Sequence, residues 1–340
     1  MARHVDVADL VGRARDGQPR AVARLISLVE DASPARTAHR SELMSQLREA
    51  AAALAPYAGR AEVVGLTGSP GVGKSTSTSA LVAALRKQGR RVGVLAVDPS
   101  SPFSGGALLG DRVRMQEHAL DPDVFIRSMA TRGHLGGLAW ATPQALRVLD
   151  AAGCDVVLIE TVGVGQSEVE VVSLADTTLV LLAPGMGDGI QAAKAGILEV
   201  ADVFVVNKAD RDGADQTVRD LKYMISLGRR EVPGPMWRPP IVKTVASRGQ
   251  GIDEVVDAIE AHRSWMVGHG ELELRRQRRA EAEIEAIAVE QLRDRLGDVR
   301  GGSALPGLAK RVAAGEVDPY LAADELVAAL AYRSLNQRSG

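Results

Sequence analysis

A glycine-rich loop between a strand and a helix is the feature that most constrains this chain. The apolar run 62–66 precedes the loop, and a helical stretch begins at Ser75. The loop reads Gly68, Ser69, Pro70, Gly71, Val72, Gly73, Lys74 and Ser75, with Thr76 after it. In this G-x-x-x-x-G-K-[ST] pattern the backbone N–H groups turn towards phosphate, the lysine reaches the β and γ phosphates, and the serine hydroxyl ligates Mg²⁺. The sequence therefore predicts an α/β domain that binds a nucleotide through Gly68 to Thr76.

Short runs rich in Val, Ile and Leu predict the sheet that carries this loop. They lie at 62–66, 91–97, 124–126, 156–159, 178–182, 203–206 and 241–245. Most are separated by helical stretches, at 75–87, 143–152, 214–227 and 252–262. This order is typical of a mostly parallel sheet of about seven strands flanked by helices. We predict an N-terminal helical extension over 1–60, a P-loop domain over 61–265 and a C-terminal helical region over 266–340.

The C-terminal region contains a long, highly charged helical stretch with one narrow apolar face. Its apolar residues recur every four positions, at Ile284, Ala288, Leu292 and Leu296. Such a face is either solvated or covered by another helix. We favour a helix–helix contact between two copies of the chain, which predicts a homodimer, and keep the solvated face as the alternative.

The overall charge and the cysteine content exclude several classes of protein. Among 340 residues, 41 Lys and Arg stand against 43 Asp and Glu, a net charge of −2. A nucleic-acid partner is not expected, because phosphate neutralisation needs a basic surface. No apolar run reaches the ~18 residues of a spanning helix, so no membrane association is expected. The one cysteine, Cys154, lies among apolar residues and is predicted to be in the core, and a chain without an internal disulfide suits the reducing cytoplasm.

A second motif indicates which base is bound. Asn207, Lys208 and Asp210 form an N-K-x-D sequence directly after the apolar run 203–206. Guanine offers two adjacent N–H donors that the Asp210 carboxylate accepts together, whereas adenine places an acceptor there. Lys208 is expected to lie over the base, and Asn207 to tie this segment to the phosphate loop. Ala246 and Ser247, after a later strand, resemble the element that offers a backbone N–H to guanine O6.

Acidic residues at other strand ends are candidates for the magnesium site and for catalysis. Glu160 and Gly163 stand where GTPases carry D-x-x-G, with the acid facing Mg²⁺ and the glycine N–H facing the γ-phosphate. Asp98 closes the second strand, and Asp111 follows on the next segment; either of them could hold Mg²⁺ or orient water. With Ser75 these acids form the predicted metal set, and Lys74, Asp98, Glu160 and Gly163 form the predicted catalytic set.

The residue that normally positions the attacking water is replaced. Small signalling GTPases carry glutamine directly after the D-x-x-G glycine, but this chain has Val164 there, and Gln166 comes two residues later. We therefore expect slow intrinsic hydrolysis, completed by a partner or a second copy.

Taken together, several segments resemble a known family. They are residues 68–76, 97–106, 110–112, 160–168, 185–191 and 207–210. These motifs are similar to those of the MeaB/ArgK-type GTPases, the G-protein chaperones of adenosylcobalamin-dependent methylmalonyl-CoA mutase. The resemblance covers about 60–265, and the helical ends agree only in general layout.

The resemblance implies a function that the motifs alone do not. It implies GTP/GDP and Mg²⁺ as ligands, a homodimer formed through C-terminal helices, and a GTP-gated complex with methylmalonyl-CoA mutase that guards cofactor loading and removes damaged cofactor. Adenosylcobalamin then belongs to the mutase and is not bound by this chain alone. Residues 185–194 would be a switch that reads the nucleotide and contacts the partner. Its candidate residues are Asp188, Gln191 and Lys194, together with Gln166 upstream.

Four alternatives stay open at the level of sequence. A nickel-delivering GTPase would need clustered soft ligands, but Cys154 is alone, and neither His118 nor His134 has a partner of that kind. A P-loop kinase or ATPase linked to amino-acid transport would not need a guanine-specific motif. A GTPase serving another acyl-CoA mutase and a non-enzymatic scaffold would share the same motifs.

Overall fold

The computed structural model describes residues 6–31, 40–99, 115–118, 120–131, 137–161, 173–185, 200–227, 236–296 and 304–336. The chain divides into two compact units, Met1–Arg279 and Ala280–Gly340. Within the described ranges, no helix is both long and apolar enough to cross a membrane.

A parallel sheet forms the centre of the first unit. Its strands are β1 (Glu62–Thr67), β2 (Val92–Pro99), β3 (Val124–Thr131), β4 (Val156–Thr161), β5 (Thr177–Leu182), β6 (Val203–Val206) and β7 (Ile241–Lys243). They lie in the order β3-β2-β4-β1-β5-β6-β7, and all neighbours are parallel. The predicted α/β fold with a sheet of about seven strands is confirmed. Because all strands run the same way, the carboxyl ends of β1, β2, β4, β5 and β6 lie at one edge of the sheet.

The described residues also contain ten helices. They are α1 (Val7–Arg15), α2 (Pro19–Asp31), α3 (Arg40–Leu54), α4 (Lys74–Lys87), α5 (Gly137–Ala151), α6 (Ala214–Leu227), α7 (Ile252–His269), α8 (Glu271–Leu296), α9 (Ala304–Ala313) and α10 (Pro319–Asn336). Several boundaries differ from expectation. Strand β3 runs on to Thr131, five residues past the predicted end, and β7 ends at Lys243, two residues before it. Helix α5 begins before Pro143, so the proline lies inside it and not at its start. Helix α7 runs on to His269, where Gly270, with φ of 73°, ends it.

Alternate residues of the strands pack into different layers, as the two-residue period of a strand requires. On one face, Val63 and Val157 belong to a cluster with α5 and with the N-terminal helices, whose Leu25 and Ile26 are fully buried. On the other face, Val64 packs with α4 and α7. Cys154 lies in the first cluster, as predicted, and burial raises the pKa of its thiol to about 12. An apolar core on both faces therefore leaves the strand ends as the place for polar chemistry.

The second unit contains the end of α8 and the pair α9 and α10. Helices α9 and α10 pack against each other, and Arg311 of α9 pairs with Glu325 of α10 at 2.6 Å. On α8, Ile284 is 67% and Leu292 is 55% exposed, so in the single chain the apolar face is uncovered at these two residues. That exposure agrees with either interpretation of the face, and the homodimer stays a prediction.

Candidate functional site

The loop after β1 has the backbone that its glycines predict. Gly68, Gly71 and Gly73 have φ values of 140°, 82° and 96°, in the region that favours glycine. A Cβ on Gly68 would collide with the carbonyl oxygen of Leu181, and one on Gly73 would collide with the side-chain amide of Asn207. Gly68 and Gly73 are therefore required for two reasons, their backbone conformation and the close approach of a neighbour, which is strand β5 for Gly68 and the Asn207 side chain for Gly73.

Lys74 lies at the start of α4 and folds back over this loop. Its side chain is buried, and its ammonium group donates to the carbonyl oxygens of Gly68 and of Ser69, the latter at 3.2 Å. The helix also begins here, so its amino end, which carries partial positive charge, faces the same space. The ammonium group and the helix end make this region electropositive, and phosphate binding there stays a prediction.

Ser75 and Glu160 meet at this edge of the sheet. The Ser75 hydroxyl donates to Oε1 of Glu160, a carboxylate that is only 1% exposed. Glu160 stands near the end of β4, between Leu66 of β1 and Ala96 of β2. Asp98 lies on β2 two residues beyond Ala96, at the same end of the sheet. A hydroxyl and a carboxylate side by side are the kind of oxygen donors that Mg²⁺ takes together with water and nucleotide phosphates.

Asn207 joins the segment after β6 to the phosphate loop. Its side-chain N–H donates to the carbonyl oxygen of Val72 at 2.9 Å. Its oxygen accepts from the Thr244 hydroxyl at 3.2 Å and from the Ala246 N–H at 3.1 Å. One buried amide thus joins the segment after β6 to the phosphate loop and to the turn after β7. The link between Asn207 and the phosphate loop is the one that the sequence predicts.

Lys208 provides a second link. Its backbone has φ of 57°, which is uncommon for a residue with a side chain. The side chain reaches across to donate to the Gly71 carbonyl oxygen at 2.6 Å. The four-carbon stem of Lys208 therefore bridges from the N-K-x-D segment to the phosphate loop.

Asp210 lies at the outer end of this segment, and it is 37% exposed. The guanidinium of Arg248 stands 3.5 Å from its Oδ2. Arg248 belongs to the single helical turn 246–248, which also contains Ala246 and Ser247. Sequence analysis missed Arg248, although its place directly after Ser247 was a signal that could have indicated it.

Several predicted site residues lie outside the described residues. They are Asp111, Gly163, Gln166, Asp188, Gln191 and Lys194. Of the predicted switch, the structure describes Gly185, with φ of 83°. In the part of the chain that is described, no three His, Cys, Asp or Glu side chains converge in a group that could hold a metal ion. The predicted site at Ser75 and Glu160 is of a different kind, because nucleotide-bound Mg²⁺ needs only one or two protein ligands.

The amino ends of the strands, at the opposite edge of the sheet, contain a network of ionisable side chains that no sequence motif predicted. Asp202, before β6, accepts two hydrogen bonds from the Arg275 guanidinium, at 2.8 and 2.9 Å. His262 of α7 is completely buried, with Nε2 3.3 Å from Asp202 and Nδ1 2.9 Å from the Thr177 hydroxyl. Burial lowers the pKa of His262, although the neighbouring Asp202 acts in the opposite direction.

A second buried acid repeats this arrangement. Asp176, before β5, accepts from the Val63 N–H at 3.1 Å and from the Arg276 guanidinium at 2.8 Å. Arg279, one turn further along α8, stands 3.5 Å from the same carboxylate. The first turns of α8 are therefore anchored to the amino ends of the strands.

Comparison with known proteins identifies the family. A family model described as "Methylmalonyl Co-A mutase-associated GTPase MeaB" matches residues 22–300. A protein of Pyrococcus abyssi that is named as a GTPase is 46% identical over 322 residues, covering 94% of this chain and 96% of its own. The chain belongs to the MeaB family of GTPases.

Other members of the MeaB family show how widely these proteins differ in name. The GTPase ArgK of Escherichia coli is 36% identical over 281 residues, with 82% of this chain and 83% of that protein covered. The mouse "Methylmalonic aciduria type A homolog, mitochondrial" is 38% identical over 274 residues, with 79% and 66% covered. A solved structure titled "LAO/AO transport system kinase" matches with a TM-score of 0.70 and 27% identity, covering 96% of this chain and 98% of its own.

Membership of the MeaB family confirms the predicted enzyme class. The chain is a GTPase, as its relatives are named. The slow intrinsic rate and the role of each site residue stay predictions.

Proposed function

We propose that this MeaB-family GTPase is a GTP-dependent chaperone of adenosylcobalamin-dependent methylmalonyl-CoA mutase, which gates cofactor loading and protects or reactivates the mutase. One observation supports the nucleotide part: Asn207 and Lys208 donate to the carbonyl oxygens of Val72 and Gly71, so the predicted base-reading segment is held against the predicted phosphate loop. The mutase part is supported by the family match and by the mouse relative. Adenosylcobalamin is the mutase's cofactor and is not bound by this chain alone.

At the phosphates, the loop Gly68 to Thr76 would bind through its backbone N–H groups. Lys74 would exchange its carbonyl contacts for β- and γ-phosphate oxygens, which gain more from a cation because they are charged. Ser75 and Glu160 are the residues that would hold Mg²⁺, with Asp98 and Asp111 as further ligands or as residues that orient water. Bound Mg²⁺ neutralises charge on the phosphates during transfer. Gly163 would offer its N–H to the γ-phosphate.

At the base, Asp210 would accept the two N–H groups of guanine while Lys208 covers one face. The structure of the turn 246–248 indicates which of its backbone N–H groups is available for guanine O6. The Ala246 N–H is already bonded to the Asn207 side chain at 3.1 Å. Ser247 is therefore the better candidate for the O6 donor, and Ala246 would support it by holding the turn on Asn207.

The remaining parts concern the partner. Asp188, Gln191 and Lys194, with Gln166, would change position with the γ-phosphate and contact the mutase. We propose that the chain forms a homodimer through its C-terminal helices, that it acts in the cytoplasm, and that a partner or second copy accelerates its slow hydrolysis.

One alternative has an observation of its own. The solved structure that matches with a TM-score of 0.70 is titled as a transport-system kinase. A kinase or ATPase acting in amino-acid transport would not need Asp210 to read guanine, so at least tenfold tighter binding of GTP than of ATP argues for the main proposal. A role with another acyl-CoA mutase would keep the GTP preference and change only the partner.

The partner is tested by co-purification. The full chain is mixed with adenosylcobalamin-dependent mutases of the methylmalonyl and isobutyryl types, in GDP, in a non-hydrolysable GTP analogue and without nucleotide. We expect a complex with the methylmalonyl enzyme whose amount depends on the nucleotide. Absence of any complex in all three states would contradict the chaperone role and leave the GTPase activity in place.

A further inference from the structure

The turn that follows β7 is a closed, well-anchored loop beside the predicted base site. Val245 and Gln250 pair across it, with N–H···O distances of 3.0 and 3.3 Å in the two directions. The Arg248 N–H donates to the Val245 carbonyl oxygen at 2.8 Å. Gly251 must be glycine here, because a Cβ would collide with the Lys243 carbonyl oxygen. The backbone of Arg248 therefore has a defined position.

The same turn is fixed to the residue that braces the phosphate loop. The Ala246 N–H and the Thr244 hydroxyl both donate to the Asn207 side-chain oxygen. In addition, the Ala209 N–H donates to the Thr244 carbonyl oxygen at 3.0 Å. Arg248 and Asp210 thus project from two segments that are hydrogen-bonded to each other, and their side chains meet at 3.5 Å.

We propose that Arg248 is a positioning residue for guanine recognition, a role that rests on the proposed base-reading function of Asp210. Asp210 is partly exposed, and its carboxylate would otherwise rotate between several orientations. By holding Oδ2, the guanidinium orients the carboxylate so that its remaining lone pairs face the two guanine N–H groups.

Arg248 and guanine do not exclude each other at this carboxylate. An ionised carboxylate has about four acceptor positions. Arg248 makes one long contact to one oxygen, not a bidentate pair, so enough positions are left for the two donors of the base. The arginine therefore acts as a support for Asp210 and not as a competitor that guanine must displace.

The test compares two ligands that differ at one group. IDP has the same phosphates as GDP but lacks the exocyclic amine, one of the two donors that Asp210 would accept. Dissociation constants for both are measured with Mg²⁺ on the full chain for the wild type, Arg248→Ala, Arg248→Gln and Arg248→Lys. Lys243→Gln is the matched control, because it removes an exposed ion pair to Asp215 at 3.1 Å that does not involve Asp210.

A positioning role changes the ratio of the two constants. We expect Arg248→Ala and Arg248→Gln to weaken GDP binding about three- to fivefold, the range of a partly exposed ion pair, and to weaken IDP binding by less, because IDP keeps only one of the two N–H donors that Asp210 would accept. Arg248→Lys should restore at least half of the loss, and Lys243→Gln should change neither ligand. The glutamine variant keeps part of the side chain without its charge, so it replaces the alanine variant in the test if that variant folds poorly.

Three other results would overturn the proposal. Equal weakening of GDP and IDP would mean that Arg248 only maintains the turn. Tighter GDP binding in Arg248→Ala would mean that it competes with the base. If the wild type itself binds GDP, IDP and ADP equally, the base-reading role of Asp210 fails first, and this result is visible without any variant.

Discussion

The two edges of the sheet use charge in different ways. At the amino edge, the Asp202 and Asp176 carboxylates meet arginines in short, paired contacts at 2.8 Å. At the carboxyl edge, the Lys74 and Lys208 ammonium groups donate to neutral carbonyl oxygens of the phosphate loop. Paired opposite charges are structural, because separating them leaves a buried charge unsatisfied. A cation bound to a neutral carbonyl oxygen can change partners to a phosphate oxygen at little cost. The comparison therefore distinguishes a structural anchor at the amino edge from a predicted binding site at the carboxyl edge.

The amino edge of the sheet fixes the first turns of α8. Arg275 and Arg276 are consecutive in the chain, and they reach two different acids, which precede β6 and β5. Arg276 also donates to the Ala61 carbonyl oxygen at 3.0 Å, just before β1. The beginning of α8 is therefore held at three strands at once, on the side of the sheet away from the phosphate loop.

The largest effect is expected from a change at the carboxyl edge. Lys74→Ala should lower the rate of GTP hydrolysis about 100- to 1000-fold, because it removes a charge that stabilises the transferring phosphate. Single-turnover hydrolysis measures this, and the thermal midpoint should move little. A rate within tenfold of the wild type would show that this edge is not the catalytic site. Loss of dimerisation with no change in any partner's activity would favour the scaffold alternative.

A change at the amino edge should have the opposite pattern. Asp202→Ala should lower the free energy of unfolding by about 3 kcal/mol, because Arg275 and the buried His262 lose their shared partner. Urea denaturation measures this loss, with the exposed Asp215→Asn as a control expected within about 0.5 kcal/mol of the wild type. The hydrolysis rate per folded molecule should be unchanged. Equal losses of stability in both variants would contradict the structural role of this network.

A smaller, pH-dependent effect should come from His262. Its pKa is lowered in the folded chain from the ordinary value of 6.5, chiefly by burial. The unfolded chain therefore binds this proton more readily, so the contribution of His262 to stability is complete above about pH 6.5 and is lost as the pH falls below it, by at most about 1.4 kcal/mol per pH unit.

The measurement is a difference between variants, since other groups also titrate. Asp202, Arg275 and Thr177 face His262 and are kept unchanged. Unfolding free energies at pH 7.5 and 5.5 should fall less on acidification in His262→Gln than in the wild type. His269→Gln, which changes an exposed histidine on the same helix, should behave like the wild type. A wild-type slope in His262→Gln would exclude this histidine as the cause.

Sequence analysis predicted those parts of the site whose residues are close together in the chain. The phosphate loop and the N-K-x-D segment each carry their chemistry within a few positions, and Asn207 does tie its segment to the loop as expected. Arg248 was not predicted, because its contact with Asp210 depends on a turn that brings the two side chains together. The arginines at the start of α8 belong to a highly charged stretch of sequence, and that stretch does not indicate which acids they meet.

The sequence by itself determined the fold class, the phosphate loop and the GTPase family, because strand periodicity, glycine conformation and short motifs are local properties of the chain. The tertiary structure decided which distant residues meet. Ser75 reaches Glu160 because β4 lies beside β1, and Arg275 reaches Asp202 because α8 passes the start of β6. Such contacts depend on strand order and side-chain reach, which no local pattern contains.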